Sequence, residues 1–380
     1  MKKYFLLTPG PTPVPPEVAS AEAQPILHHR TTEFGKIFID VIDGMKYVFQ
    51  TKNDVLMVTG SGTAAMEASV VNLLSAGDEV IVASCGNFGD RWENICNAYG
   101  VKVHKVAVEW GQAINPVDIE EILKKNKNIK AVFTTHTETS TGIVNDIETI
   151  GKIVKDTEAV LVVDTVSGLV NQKFLTDDWY VDVAVTGSQK GLMSPPGLSF
   201  VTVSPKAWQL VEKSTLPKFY FDFKRMRKSI DNKETPFTPA VSLVVAIHKA
   251  IEMIKEKTLE KIWYDTEKLA KAVRAAVKSM GLKIFCDENH ISNIVTPISM
   301  PEGVDGQKVV KTLREEFGIS IAGGQSKLKG KIVRIAHMGY IDKTDLVVGI
   351  SFLELVLRRF GVNIEVGSGV KTFQEVLEAK

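Results

Sequence analysis

The chain has 380 residues, 44% hydrophobic and 24% charged, a composition that buries sizeable cores and, at about 150 residues per domain, makes two to three domains. It excludes disordered, collagen-like and small disulfide-stapled classes. Forty-six Lys and Arg against 45 Asp and Glu leave a net charge of +1, with no basic excess to hold nucleic acid or an anionic membrane. Small-molecule chemistry is therefore expected. The three cysteines, Cys85, Cys96 and Cys286, lie far apart without a C-x-x-C pair, which predicts no disulfide framework, no cysteine zinc site and a cytoplasmic setting. The histidines show no i,i+4 spacing, so no metal is expected either. Met1 to Leu7 is too short for a signal h-region, no apolar run reaches membrane-spanning length, and the ending Leu-Glu-Ala-Lys is no peroxisomal address.

In chain order, Thr8 to Pro16 holds five prolines in nine positions; fixed φ and missing N–H groups make it an extended arm, not helix or central strand. Apolar residues on both sides (Tyr4 to Leu7, Ile26, Phe34, Phe38) predict that the arm packs. From residue 54, β-branched runs at Val55–Val58, Val80–Ala83, Val101–Val108, Ala131–Thr134, Val160–Val163, Val181–Val185 and Leu198–Val203 alternate with helical patterns such as Ala64–Leu74 and Ile147–Asp156. That alternation predicts an α/β domain around a mainly parallel sheet. After about residue 257 come a long helix at Leu259–Met280, strand candidates at Lys283–Phe285, Ile294–Ser299 and Lys331–Ile335, and helices near Lys308–Phe317 and Lys343–Arg359. The expected organisation is an arm over residues 1–16, a large domain over 17–256 and a smaller α+β domain over 257–380.

Ligands of an open parallel sheet bind beyond the carboxyl ends of its strands, so the residues following each predicted strand deserve comparison. They are Thr59-Gly60-Ser61-Gly62-Thr63, leading into a helix whose N-terminus suits a phosphate; Ser84-Cys85-Gly86-Asn87-Phe88; Thr135 to Gly142; Asp164; and Thr186-Gly187-Ser188-Gln189-Lys190. Gly60-x-Gly62-x-x-Ala65 fits a loose dinucleotide fingerprint, but the second strand ends in Ser84 and not in the acid that would hold a ribose. No Gly-Lys-Ser/Thr follows, so it is not a P-loop. Asp164 alone reads as a helix cap, and Lys190 alone as a solvated charge. A lysine, a carboxylate, an aromatic and a phosphate cradle at one sheet edge are together the groups that pyridoxal phosphate chemistry requires.

Ser188-Gln189-Lys190, Val163-Asp164-Thr165-Val166, Gly60 to Glu67, Glu138-Thr139-Ser140-Thr141-Gly142 and Lys331-Ile-Val-Arg334-Ile, in this order, resemble the class V, fold type I pyridoxal-phosphate aminotransferases of the alanine–glyoxylate / serine–pyruvate group. The resemblance runs from the Leu7-Thr-Pro-Gly-Pro arm to about residue 355. It implies a seven-stranded large domain, pyridoxal 5'-phosphate as cofactor, Lys190 as the Schiff-base lysine and Asp164 as partner of the pyridine nitrogen. Ser61, Gly62, Thr63 and Gln189 would hold the phosphate, Thr139 would lie near the ring hydroxyl, Phe88 would stack on the ring, and Val166 would complete the cofactor contacts. Arg334 would take the substrate carboxylate, and the backbone of Gly10 would line the substrate pocket.

The resemblance also implies a homodimer in which the neighbouring chain completes the phosphate site. The family's tyrosine is missing from Thr235-Pro-Phe-Thr238-Pro239, which leaves Thr238 for that contact. Arg30, in His28-His29-Arg30, faces either the active site or the dimer interface. The implied reaction transfers the amino group of alanine or serine to glyoxylate or pyruvate. Alternatives are an acidic donor such as aspartate, a cysteine desulfurase or related lyase (for which Cys286 lies in a strand-like run and Cys85 reads as a small packed residue), and a non-catalytic partner subunit.

Overall fold

The computed structural model describes residues 3–379; Met1, Lys2 and Lys380, which belong to the expected arm and C-terminal tail, lie outside the described residues. Seven strands form the main sheet: β1 (Asp54–Thr59), β2 (Glu79–Ser84), β3 (Lys102–Ala107), β4 (Ile129–Thr135), β5 (Val160–Asp164), β6 (Val183–Gly187) and β7 (Leu198–Val203). Their order across the sheet is β1-β7-β6-β5-β4-β2-β3. Strand β7 runs antiparallel to β1 and β6, while the remaining pairs are parallel. The carboxyl ends of the other six strands therefore share one edge. Strands β5, β6 and β7 are buried along their whole length, as expected where helices cover both faces. The edge strand β3 carries exposed Lys102 and Lys105, a usual guard against edge pairing.

All seven expected runs are strands. The run expected from Val181 starts at Val183; just before it, the Asp182 carboxylate takes the place of a backbone acceptor for Leu161 N and also accepts from Ser204 Oγ. No helix among the described residues is long and apolar enough to cross a membrane.

A second, antiparallel sheet comprises β8 (Lys283–Ile284), β9 (Val295–Ser299), β10 (Ala322–Gly323) and β11 (Ile332–Ala336) in the order β8-β9-β11-β10. Helices Leu259–Ser279, Gly306–Phe317, Lys343–Arg359 and Ser368–Glu378 share its core. The two-residue strand β10 and the last helix carry too short or too polar a pattern to be expected from sequence. Helices Val241–Lys257 and Leu259–Ser279 meet at Thr258, whose φ of 67° stops the first helix while its hydroxyl accepts from Lys261 N. Leu259 and Ile262 still pack in the large core, whereas Ala272 to Val277 pack in the small one. The helix thus passes from one core to the other.

The proline-rich arm runs extended into a helix that starts at Pro16. Phe5–Leu6 pairs in parallel with Ile319–Ser320, Leu7 O accepts from Ala336 N at 2.9 Å, and Val18 packs on Ala246 and Ala250. Tyr4 and Ile26 do not contribute to this packing as expected: they are 78% and 76% exposed. The arm is held by strand pairing and by Leu7 and Val18 instead.

Candidate active site

A cavity at the carboxyl edge of the main sheet is walled by Ser61, Gly62, Thr63, Phe88, Arg91, Thr137, Asp164, Val166, Gln189 and Lys190, among others. It gathers most of the residues expected at the strand ends. Each wall has a local cause. The helix Gly62–Leu73 begins directly after β1; its N-cap Ser61 makes no side-chain cap and its first turn holds no acid, so its leading N–H groups stay available to an anion. A Cβ at Gly62 would lie 2.5 Å from Val166 Cγ2, which fixes glycine at this close approach.

Asp164 closes β5, beside Thr135 of β4 and Val185 of β6. Its Oδ1 accepts from Val166 N at 2.8 Å. Burial, reinforced by the Glu138 charge, pushes its carboxyl up to about 6. Lys190 follows β6 in a loop held by Ser188, whose hydroxyl donates to Pro195 O at 2.6 Å and accepts from Leu198 N at 3.3 Å. Lys190 is buried, and burial brings its ammonium down to about 8, with Arg334 and Arg91 pressing the same way and Asp164 opposing.

The arm closes over this lysine. Lys190 Nζ donates to Pro9 O at 2.5 Å, Thr12 N donates to Gln189 O at 3.0 Å, and Thr12 Oγ1 donates to Lys190 O at 2.9 Å. At Gly10, with φ +107°, a Cβ would sit 2.2 Å from Lys190 Cδ. No side chain fits between the arm and the lysine.

Arg334, in β11, is 4% exposed. Its Nε and Nη2 donate to Gly323 O at 3.1 and 2.7 Å, and Nη1 donates to Thr139 O at 2.6 Å. A guanidinium has five N–H donors, so each terminal nitrogen keeps a second one. Burial lowers its pKa to about 10 while Glu138 supports the charge. Thr139 thus meets Arg334 through its carbonyl and is not among the cavity's walls. Thr238 is exposed and lines a separate groove with Thr59, Tyr220 and Phe237. Arg30 donates to Glu234 Oε2 and to Thr235 O at 2.9 Å and is not among the walls of the lysine cavity.

Two residues not singled out by the sequence shape the site. Glu138 is fully buried; its Oε2 accepts from Phe88 N and Gly89 N at 2.9 Å each, and its Oε1 accepts from Ser140 N at 3.0 Å. It caps the helix Asn87–Ala98, which has no cap of its own, and so sets the position of Phe88. Arg91 lies one turn beyond Phe88 on this helix; its Nη1 donates to Thr63 Oγ1 at 3.0 Å and its guanidinium lies 4.8 Å from the Phe88 ring centroid. The i,i+3 spacing from Phe88 is the sequence signal for Arg91, and the Glu-Thr-Ser-Thr-Gly motif is the signal for Glu138.

Two buried polar atoms at the cavity, Gln189 Oε1 and Thr137 Oγ1, have no hydrogen-bond partner among the described residues. With an uncapped helix end, a lysine and a carboxylate, the donor set fits a phosphorylated aldehyde cofactor with a protonated ring nitrogen. The cysteines are different in character. Cys85 and Cys286 are buried, their thiols are pushed up by burial, Cys286 to about 12, and Cys286 Sγ lies 3.8 Å from Gly142 O. A larger cavity of about 400 Å³ lies behind the lysine loop, with Met193, Thr266, His337 and Tyr340 in its walls. Neither Lys190 nor Asp164 lines it; both line the smaller one. Among the described residues no group of three or more His, Cys, Asp or Glu is arranged to hold a metal ion.

Comparison with known proteins agrees with this geometry. The class V aminotransferase family model matches residues 4–345. A protein of Synechococcus described as the small subunit of a soluble hydrogenase is 42% identical over 99% of this chain and 98% of its own length. The L-aspartate–glyoxylate aminotransferase of Paracoccus denitrificans is 36% identical over 97% of this chain and 95% of its own. The crystal structure of the ureidoglycine–glyoxylate aminotransferase of Bacillus subtilis superposes with a TM-score of 0.96 at 29% identity, covering 100% of this chain and 99% of that one. A fold type I sheet, a lysine and carboxylate at its carboxyl edge, and a family match along nine-tenths of the sequence lead to one conclusion: the chain is an enzyme of the class V aminotransferase family.

Proposed function

We propose that this enzyme transfers the amino group of a small amino acid, alanine or serine, to glyoxylate or pyruvate, with pyridoxal 5'-phosphate held at Lys190. The observation that carries the reading is the burial of Lys190 and Asp164 in one cavity that an uncapped helix N-terminus also faces. Bound there, the cofactor supplies an aldehyde for amines and a ring that accepts electrons.

The chain's own residues do the rest. Lys190 would hold the cofactor and would take the α-proton of the donor on Nζ and return it; an amine brought down to about 8 is partly neutral near physiological pH and suits that exchange. Asp164, ionised above about pH 6, holds the proton of the ring nitrogen. Arg334 offers its two remaining terminal N–H groups to the donor's carboxylate, its fork already fixed by Gly323 O and Thr139 O. Phe88 and Val166 would contact the ring, and Ser61, Gly62, Thr63 and Gln189 would hold the phosphate. Pro9 and Gly10 cover the lysine and limit the space for a donor side chain.

Two copies of the chain complete each site, with Thr238 serving its neighbour. Phe219 and Tyr220, 67% and 42% exposed beside that residue, suit a surface covered by a second copy. The relatives named for glyoxylate as acceptor support the acceptor class. Arg30, tied to Glu234, gives no free cation for an acidic side chain.

A donor screen with glyoxylate and pyruvate tests the reading. Alanine or serine should give the higher kcat/KM, and Lys190→Ala should lower kcat by at least about 10⁴-fold while the protein still binds cofactor. Preference for aspartate would overturn the donor assignment. An active Lys190→Ala enzyme would overturn the site.

A further inference from the structure

Arg91 and the N-terminus of the helix Gly62–Leu73 bring two positive poles together. The helix end has neither a side-chain cap nor an acidic residue in its first turn. The guanidinium reaches it through Thr63 Oγ1 at 3.0 Å and lies on the Phe88 ring. Among the described residues Arg91 forms no direct ion pair, although the Asp164 carboxylate across the cavity feels its charge. Beyond the through-space pull of Asp164, such an arrangement gains from an anion seated at the helix end itself, because that end carries roughly half a positive charge and the guanidinium a whole one.

The other cations of the region are engaged elsewhere. Lys190 Nζ donates to Pro9 O, and Arg334 is held by Gly323 O and Thr139 O. A phosphate monoester carries about two negative charges near neutral pH, and burying it against neutral donors alone is costly. Thr63 and Gln189 contribute neutral polar groups, and the helix end only a partial charge.

We propose that Arg91 is the charge partner of the cofactor phosphate, reaching the phosphate beside Thr63 while its guanidinium face positions the Phe88 ring. The inference rests on the cofactor reading above. It makes Arg91 a cofactor-binding residue selective for the phosphorylated form and not a substrate-recognition residue. One helix then supplies both the stacking ring and the phosphate's cation, so that the ring plane and the phosphate are positioned together.

The test is equilibrium binding of pyridoxal 5'-phosphate and of unphosphorylated pyridoxal to cofactor-free full-length protein, followed by absorbance. Arg91→Gln should weaken pyridoxal 5'-phosphate about 10- to 100-fold, the range for losing one charged hydrogen-bonding partner, and leave pyridoxal within about twofold of wild type. Arg91→Lys, which keeps the charge, should recover part of the loss. Inorganic phosphate should compete with pyridoxal 5'-phosphate for the wild type more strongly than for Arg91→Gln. Equal weakening of both forms would show that Arg91 acts only through Phe88 and would overturn the proposal. So would unchanged cofactor affinity with a raised donor KM. Failure of the wild type to bind pyridoxal 5'-phosphate at all would instead overturn the cofactor reading itself.

Discussion

Lys190 illustrates how a residue's chemistry follows from its surroundings. An exposed lysine stays protonated past pH 10, but here burial and two nearby guanidinium groups bring the ammonium down to about 8 against the pull of Asp164. Between these two values the unfolded chain holds a proton that the folded chain has released. The neutral, nucleophilic amine thus becomes available in the folded protein about two pH units early. In cofactor-free protein, acetylation of Lys190 by acetic anhydride, followed by peptide mass spectrometry against an internal amine standard, should speed up to about pH 8 and level off, while exposed lysines continue to gain rate to about pH 10. A Lys190 rate still rising at pH 10 would contradict the desolvated amine. Asp164 moves the other way: burial holds its proton to about pH 6, so the pair faces each other as carboxylate and partly neutral amine in the neutral range.

The helix Asn87–Ala98 shows how one buried side chain sets a whole element. Gly86 at its N-cap offers no capping side chain, and Glu138, from the loop after β4, accepts from Phe88 N and Gly89 N in its place. There is no room for an alternative: a Cβ at Gly86 would lie 2.4 Å from Glu138 Cγ. Replacing Glu138 with alanine leaves these two donors and Ser140 N unpaired in the interior, at about 1–3 kcal/mol each. Urea denaturation of Glu138→Ala should therefore show a loss of about 3 kcal/mol or more, with Glu138→Gln, which keeps one acceptor oxygen, losing less. A loss under about 1 kcal/mol would place the cap elsewhere. Because the same carboxylate supports the Arg334 charge, it joins the helix that carries Phe88 to the arginine of the second sheet.

At the scale of the molecule, the arm connects the two sheets. Its first residues pair with Ile319–Ser320 and pack in the small core; a few residues on, it covers Lys190. A shift of the small sheet therefore reaches the lysine through fewer than ten residues of stiff, proline-rich chain. The shared site proposed for a pair of chains has its own test. Mixing inactive Lys190→Ala with an impaired Thr238→Ala protein and exchanging subunits should regenerate one intact site in each mixed dimer, raising activity toward a quarter of wild type when subunits assort at random (about half of the dimers mixed, one of two sites intact). Activity no higher than that of the two parents would place Thr238 in the site of its own chain.

The sequence by itself determined the main sheet and the placing of a lysine and a carboxylate at its carboxyl edge. Short, Val-rich apolar runs such as Val160–Val163 suit a strand buried on both faces, and Asp164 and Lys190 are legible because they stand just beyond such runs, where a parallel sheet exposes its loops. Arg334 is legible for a related reason, as a lone charge within an apolar strand. Arg91 and Glu138 carry no such contrast: one is a charge on a half-exposed helix, the other an acid in a polar loop. Their importance comes from contacts across about 30 and 50 residues, Arg91 to Thr63 and Glu138 to Phe88, and from burial that desolvates a charge only after the chain has closed around it. The pairing of Phe5–Leu6 with Ile319–Ser320 is likewise decided by tertiary structure alone, because two residues hold no periodicity and their partners stand at the other end of the chain.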